Sequence, residues 1–193
     1  MLKKIKIFII FIFMTINFQS NSYSDDINEI ELDGLSLGES LLNFFSKQEI
    51  KENTIQYFED KRNYYVVFYN KDLSQYSDFE IYLKSNDNNY KIKGLNAGIY
   101  PKNLKECLTK LDEISSEISS ALDIVFTDDS SKHSYYKNSF INGRTVELEG
   151  GYLRIDCMFY DDKDKLKHPS LVDNLAVMLK SYEIERWFES GYK

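Results

Sequence analysis

Thr145-Val146-Glu147-Leu148-Glu149-Gly150-Gly151-Tyr152-Leu153-Arg154-Ile155-Asp156-Cys157 reads as two strands of alternating character joined by glycines. A two-residue Gly150-Gly151 turn predicts the pairs Glu149 with Tyr152, Leu148 with Leu153, Glu147 with Arg154 and Val146 with Ile155. That register makes one face apolar and sets Glu147 against Arg154 as a cross-strand ion pair on the other. Cys157 falls on the apolar face with Leu153 and Ile155.

Upstream, Leu104, Cys107, Leu108, Leu111, Ile114, Ile118, Ala121, Leu122 and Val125 recur at helical spacing, predicting one long helix with an apolar stripe. Asn103 with Glu106 three residues on supplies its N-cap pair. Cys107 lies on that stripe, which must face the sheet. Helix and hairpin thus aim both cysteines into one layer, predicting a Cys107–Cys157 disulfide. Closing a loop of that length stabilises by about 4 kcal/mol in the chain-entropy picture. The alternative is a pair of buried free thiols.

Further strands are predicted over Tyr64–Tyr69, around Phe79-Ile81-Leu83, and over Tyr90–Tyr100, where Gly94 and Gly98 mark a bulge or bend. Asp25 to Asp33 reads as a polar lead-in. Gly34 to Phe45 reads as a tight turn into a short apolar helix, and Ser46 with Glu49 as a capping box opening a second. Thr127 to Asn142 reads as a long loop and Asp161 to Ser170 as a charged one. A strand returns over Asn174–Lys180, then a helix capped by Ser181, carrying Ile184, Trp187 and Phe188 and ended by Gly191. The order is ααβββ followed by αβββα. It predicts an α+β fold, an antiparallel sheet with helices packed on one face.

The first 24 residues have a different character. Lys3, Lys4 and Lys6 precede the apolar run Ile7 to Ile16, and small residues lead up to Ser24. This is the pattern of a signal peptide, and the run is short for a membrane span. Residues 25–193 are then one exported domain, periplasmic or secreted, with 25–100 and 101–193 as possible halves. No cysteine lies near the predicted cut, so no lasting membrane anchor is expected. Beyond that leader remain 21 basic against 31 acidic residues, a charge of −10. Such a balance disfavours nucleic acid and leaves a protein or a small neutral or cationic ligand as partner.

The stretches GLSLGESLLNFFSKQEIK (34–51), YKIKGLNAGIYPKNLKECLTKLDEI (90–114), GGYLRIDCMFYDD (150–162) and DNLAVMLKSYEIERWF (173–188) resemble a group of small exported proteins from AT-rich marine bacteria. That resemblance implies one helix cysteine and one strand cysteine, and it carries no activity. The Gly34 to Leu41 start also resembles that of small outer-membrane assembly lipoproteins and of secreted β-lactamase-inhibitory proteins.

Chemistry-bearing patterns are sparse. His133 and His168 are the two histidines, both in polar stretches, with no metal-ligand spacing around them. Asp161-Asp162-Lys163-Asp164 lacks the glycine and distant glutamate of a calcium loop, and Asp128-Asp129 offers no more. Glu147 and Glu149 share a strand face, as glycoside chemistry requires of two carboxylates, but no cleft is legible around them. No serine elbow or phosphate-cradling glycine loop occurs. No cofactor or metal is expected.

Tyr64, Tyr65, Tyr82, Tyr135, Tyr136 and Tyr152 are candidates for exposed aromatic patches, against strand packing as the plainer reading. The pair Tyr135-Tyr136 stands out because strand packing explains it least. The expectation is a non-catalytic binding or interaction module using that loop. Its alternatives are a hydrolase whose acidic residues converge only in the fold, and an envelope-assembly or inhibitory protein.

Overall fold

The computed structural model describes residues 26–55, 63–69 and 76–190. The predicted leader, residues 1–24, and the helix-ending Gly191 lie outside them. In chain order the elements are β1 (Glu31–Leu32), β2 (Leu35–Ser36), α1 (Lys47–Glu52), β3 (Thr54–Ile55), β4 (Tyr64–Tyr69), β5 (Asp78–Lys84), β6 (Ile92–Ile99), α2 (Leu104–Leu122), β7 (Thr127–Asp128), β8 (Ser131–Lys132), β9 (Phe140–Leu148), β10 (Gly151–Phe159), α3 (Asp162–Lys167), β11 (Asn174–Ser181) and α4 (Tyr182–Glu189). Single 3-10 turns lie at Ile27–Glu29 and Leu41–Asn43.

Among the described residues, one antiparallel sheet runs β3-β4-β5-β6-β11-β10-β9-β7, with β8 also on β9. The α+β class and the antiparallel sheet are as the sequence indicates. The seam between β6 and β11 joins strands from 25–100 to strands from 101–193 in a single sheet.

The hairpin forms, in a register shifted by two residues. Gly151 pairs with Leu148, Tyr152 with Glu147, Leu153 with Val146 and Arg154 with Thr145. The cause is the division of labour between the two glycines. Gly150 turns the chain at φ +83°, whereas Gly151 is already in the strand opposite Ser181. A Cβ there would sit 2.2 Å from the Lys180 carbonyl oxygen. Because the slip is even, the apolar face is preserved. The predicted Glu147–Arg154 ion pair does not form.

Leu153, Ile155 and Cys157 of β10 join Leu175, Val177 and Leu179 of β11, Leu95 and Ala97 of β6, and Phe79, Ile81 and Leu83 of β5 in one core. On this face lies α2, whose Cys107 and Leu111 are buried, and Cys107 is bonded to Cys157 with Cα atoms 5.8 Å apart. Val125 lies past the helix end and is 82 % exposed, so the stripe stops short of it. The N-terminal stretch covers the same face. Asp26–Asp33 is no polar lead-in, since Ile27, Ile30 and Leu32 are core residues and Ile27 N–H bonds to Glu149 O at 3.0 Å. Gly34 to Phe45 is not a helix but the β1–β2 hairpin and one 3-10 turn, broken up by Gly34 and Gly38 at φ +81° and +78°. The Ser46–Glu49 capping box that opens α1 is formed as read.

The short α4 lies on the opposite face of the sheet from α2. Its Ile184 and Trp187 pack with Tyr64, Val66 and Tyr82, which alternate out of phase with the main core. Strand β11 is buried from both sides, Leu175 through Leu179.

Two of the loops are also structured. Thr127 to Asn142 supplies β7, β8 and the start of β9. Asp161 to Ser170 contains α3, capped by Asp161 with acids in its first turn and lysines in its last, the order that suits the helix dipole.

Candidate functional site

The even-numbered residues of β10 (Tyr152, Arg154, Asp156) point away from the core, toward the α4 side. Ser181 caps α4 and donates to Lys93 O at 2.9 Å, while Tyr182 N–H bonds to Gly150 O at 3.0 Å. These bonds return α4 over the polar ends of β9 and β10. Between them opens a cleft of about 370 Å³ lined by Asp129, Thr145, Glu147, Tyr152, Arg154, Tyr182, Glu185, Arg186 and Glu189.

Two tyrosine–glutamate pairs organise it. Tyr152 donates to Glu185 Oε2 at 2.6 Å, and Tyr182 donates to Glu147 Oε2. Burial, followed by the Glu185 hydrogen bond, pushes the Tyr152 hydroxyl above its usual range, so it stays a donor. The Glu147 hydrogen bond does the same for Tyr182. Each carboxylate thus has one oxygen tied by a phenol.

Arg154 forms the wall beside them. Its Nε donates to both oxygens of Asp156 at 2.8 Å, and its Nη1 to Asp129. Asp156 is 5 % exposed, and burial raises its carboxyl against the pull of Arg154. Its Oδ1 would lie 2.8 Å from a Cβ on Gly143, so only glycine fits beneath it on β9. Lys180, beside Tyr152 on β11, puts its ammonium 4.8 Å from the Phe188 ring centroid and 5.9 Å from that of Tyr152. Burial pushes the Lys180 ammonium below its ordinary value, with Glu185 and Asp156 opposing.

The residues singled out from sequence are distributed unevenly. Glu147 and Tyr152 are in the cleft, whereas Glu149 is in the turn. Asp129 is at the cleft as the partner of Arg154, and Asp128 faces Arg144 at 3.7 Å. Tyr64 and Tyr82 are buried against α4, as the plainer reading of the tyrosines has it.

Tyr135 and Tyr136 are on a separate loop. Tyr135 is 79 % exposed. Tyr136 is partly buried, its ring 4.6 Å from His133, 5.2 Å from His168 and 5.5 Å from Tyr160. The two histidines, expected as separate solvated residues, flank one tyrosine. His133 Nδ1 accepts from the backbone N–H groups of Tyr135 and Tyr136 at 3.2 and 3.3 Å, which requires the neutral ring. Burial lowers the His133 pKa and favours that form. Asp164 is not a solvated loop acid. It is buried and accepts from Asn138 N, Asn138 Nδ2 and Ser139 Oγ, pinning the loop to α3. The Ser139 hydroxyl, with Asn138, holds its carboxyl below the usual range.

Sequence reading missed the contribution of α4. Glu185, Arg186 and Glu189 lie on its polar side, and the amphipathic pattern drew attention only to the apolar one. No group of three or more metal-ligating side chains occurs among the described residues. Comparison with protein-family models, with curated proteins and with solved structures finds no match.

Proposed function

We propose that the chain is a non-catalytic, exported binding module whose α4 cleft takes a small polar ligand, neutral or cationic. The observation that carries this is the pair of glutamates, Glu147 and Glu185, each steered by a tyrosine hydroxyl at the mouth of an open cleft. Oriented carboxylates beside phenol rings and an arginine suit ammonium or hydroxyl donors. Asp129, Glu147, Glu185 and Glu189 against Arg154 and Arg186 leave the lining net acidic, which disfavours anions. The Cys107–Cys157 bond supports work in an oxidising compartment, and no helix among the described residues is long and apolar enough to cross a membrane.

Calorimetric titration with a diamine, a disaccharide and citrate tests the reading. Saturable binding of the diamine or the disaccharide, weakened at least tenfold by Glu185→Gln, is the expected result. Binding of citrate alone, or affinity indifferent to both Glu185→Gln and Glu147→Gln, overturns it.

A second contact is carried by a separate observation. Tyr135 is a large exposed aromatic on a loop held rigid by Asp164, the kind of anchor that protein partners bury. Crosslinking in the native cells should give an adduct that Tyr135→Ala removes. An adduct pattern unchanged by the substitution counts against this role.

A further inference from the structure

On the core face of the sheet, remote from α4, a second pocket of about 330 Å³ is lined by Lys47, Ile50, Lys51, Thr54, Tyr65 and Tyr90. Its chemistry is the reverse of the cleft: two cations and two aromatic rings, with no acid among the described residues of the lining. Ile50, 2 % exposed, forms the apolar floor.

Lys47 and Lys51 are one helical turn apart on α1, so their ammonium groups share a face and repel. The acids of the same helix are engaged elsewhere. Glu49 accepts from Ser46 N at 2.8 Å in the capping box, and Glu52 from Gln48 Nε2 at 2.9 Å. Asp87, close to Tyr65, accepts from the backbone of Asn89 and Lys91. Among the described residues neither lysine has an ion-pair partner.

Tyr90 adds an independent observation. It sits at φ +53°, a left-handed conformation disfavoured for any side chain but glycine or asparagine. The turn demands it, because Tyr90 N–H bonds to Asp87 O at 3.2 Å and Tyr90 O accepts from Leu41 N at 3.0 Å. The half-buried ring packs against the edge of the main core and lines the pocket, with Lys47 Nζ 5.8 Å from its centroid. Strained backbone bearing a bulky ring is a mark of sites that hold a ligand.

We propose that this pocket binds a small planar ring compound bearing a carboxylate, its ring on the Tyr65 and Tyr90 wall and its charge against Lys47 and Lys51. The size is at the low end for small-molecule sites and suits a single ring with substituents. An anionic ring compound is what the acidic α4 cleft disfavours, so the two sites select different ligands.

Amide-resolved NMR titration of the disulfide-bonded chain with benzoate tests this. Acetate serves as the ringless control and benzylamine as the cationic one. The expected result is saturable benzoate shifts confined to the amides around Lys51, Thr54, Tyr65 and Tyr90, with both controls at least tenfold weaker. Lys47→Gln with Lys51→Gln should weaken benzoate at least fivefold. Tyr90→Asn, which tolerates the backbone angle, should keep the dispersed spectrum and lose the binding. Shifts that do not saturate, that spread over the surface, or that acetate reproduces overturn the proposal. So does undiminished binding by the double lysine variant, which tests it even if Tyr90→Asn fails to fold.

Discussion

Glu183 and Gly151 are single residues whose local physics fixes measurable outcomes. Glu183, at the start of α4, receives Lys84 Nζ at 2.6 Å and Lys93 Nζ at 2.9 Å. Burial alone would raise its carboxyl, but the two lysine hydrogen bonds outweigh that and bring it down to about 2. A folded-state value below the unfolded one stabilises above about pH 4.5, and the gain disappears as pH falls through about 2. Glu183→Gln should therefore flatten the melting temperature between pH 5 and 2. Because the group is 36 % exposed, the difference should stay below about 1 kcal/mol. An equal acid slope in both proteins would remove this ion pair from the account. Gly151→Ala pushes a methyl group into the Lys180 carbonyl, where backbone on both strands prevents relief. Urea unfolding should show a loss of about 1–3 kcal/mol, and Gly34→Ala, with open space around its Cβ, makes a useful contrast because only backbone strain acts there. These residues also mark where sequence reading stops. Alternation alone assigned the paired residues of the hairpin to their correct faces, although Glu149, read as a strand residue, falls in the turn. The position of the turn depended on a neighbouring strand some thirty residues downstream, which no local pattern contains.

The helices divide along the same line. The stripe of α2 was legible because nearly every third or fourth residue repeats it, and the same stripe predicted which thiol meets Cys157. Charge pattern alone made α3 look like loop, although Asp161 is an ordinary N-cap and the acids precede the lysines. The cleft was legible only in its β10 half. Its other half comes from α4, and where that helix lies is decided by Ser181 bonding to Lys93, a tertiary event. At this scale the disulfide makes the clearest prediction. It ties α2 to β10 across a separation of 50 residues, so opening it restores that loop's freedom to the unfolded chain. Reduction, or Cys107→Ala with Cys157→Ala, should lower unfolding free energy by about 4 kcal/mol in the chain-entropy picture. The same denaturation curve with and without reductant would count against such a staple.

For the molecule as a whole, the sheet separates two environments. One face is almost wholly apolar and carries α1, α2 and the N-terminal hairpin. The other is polar over β10, with Lys180 of β11 beside it, and is only partly roofed by α4. An acidic cleft and a basic pocket end up on opposite sides of one layer, so ligands at the two need not compete.

The β6–β11 seam has a consequence for the order in which the chain can assemble. β4, β5 and β6 pair with sequence neighbours, as do β9 and β10, so each group needs only short loop closures. β6 must then wait with an open edge until β11, almost eighty residues later, is available. A chain arriving from its N-terminus holds that edge bare while the whole stretch between Ile99 and Asn174 emerges, the situation in which strands mispair. The two cysteines behave differently. Both precede β11 and neither has a rival, so oxidation can join α2 to β10 before the last strand arrives, and no reshuffling is needed afterwards. The final strand then enters a slot with one wall already fastened.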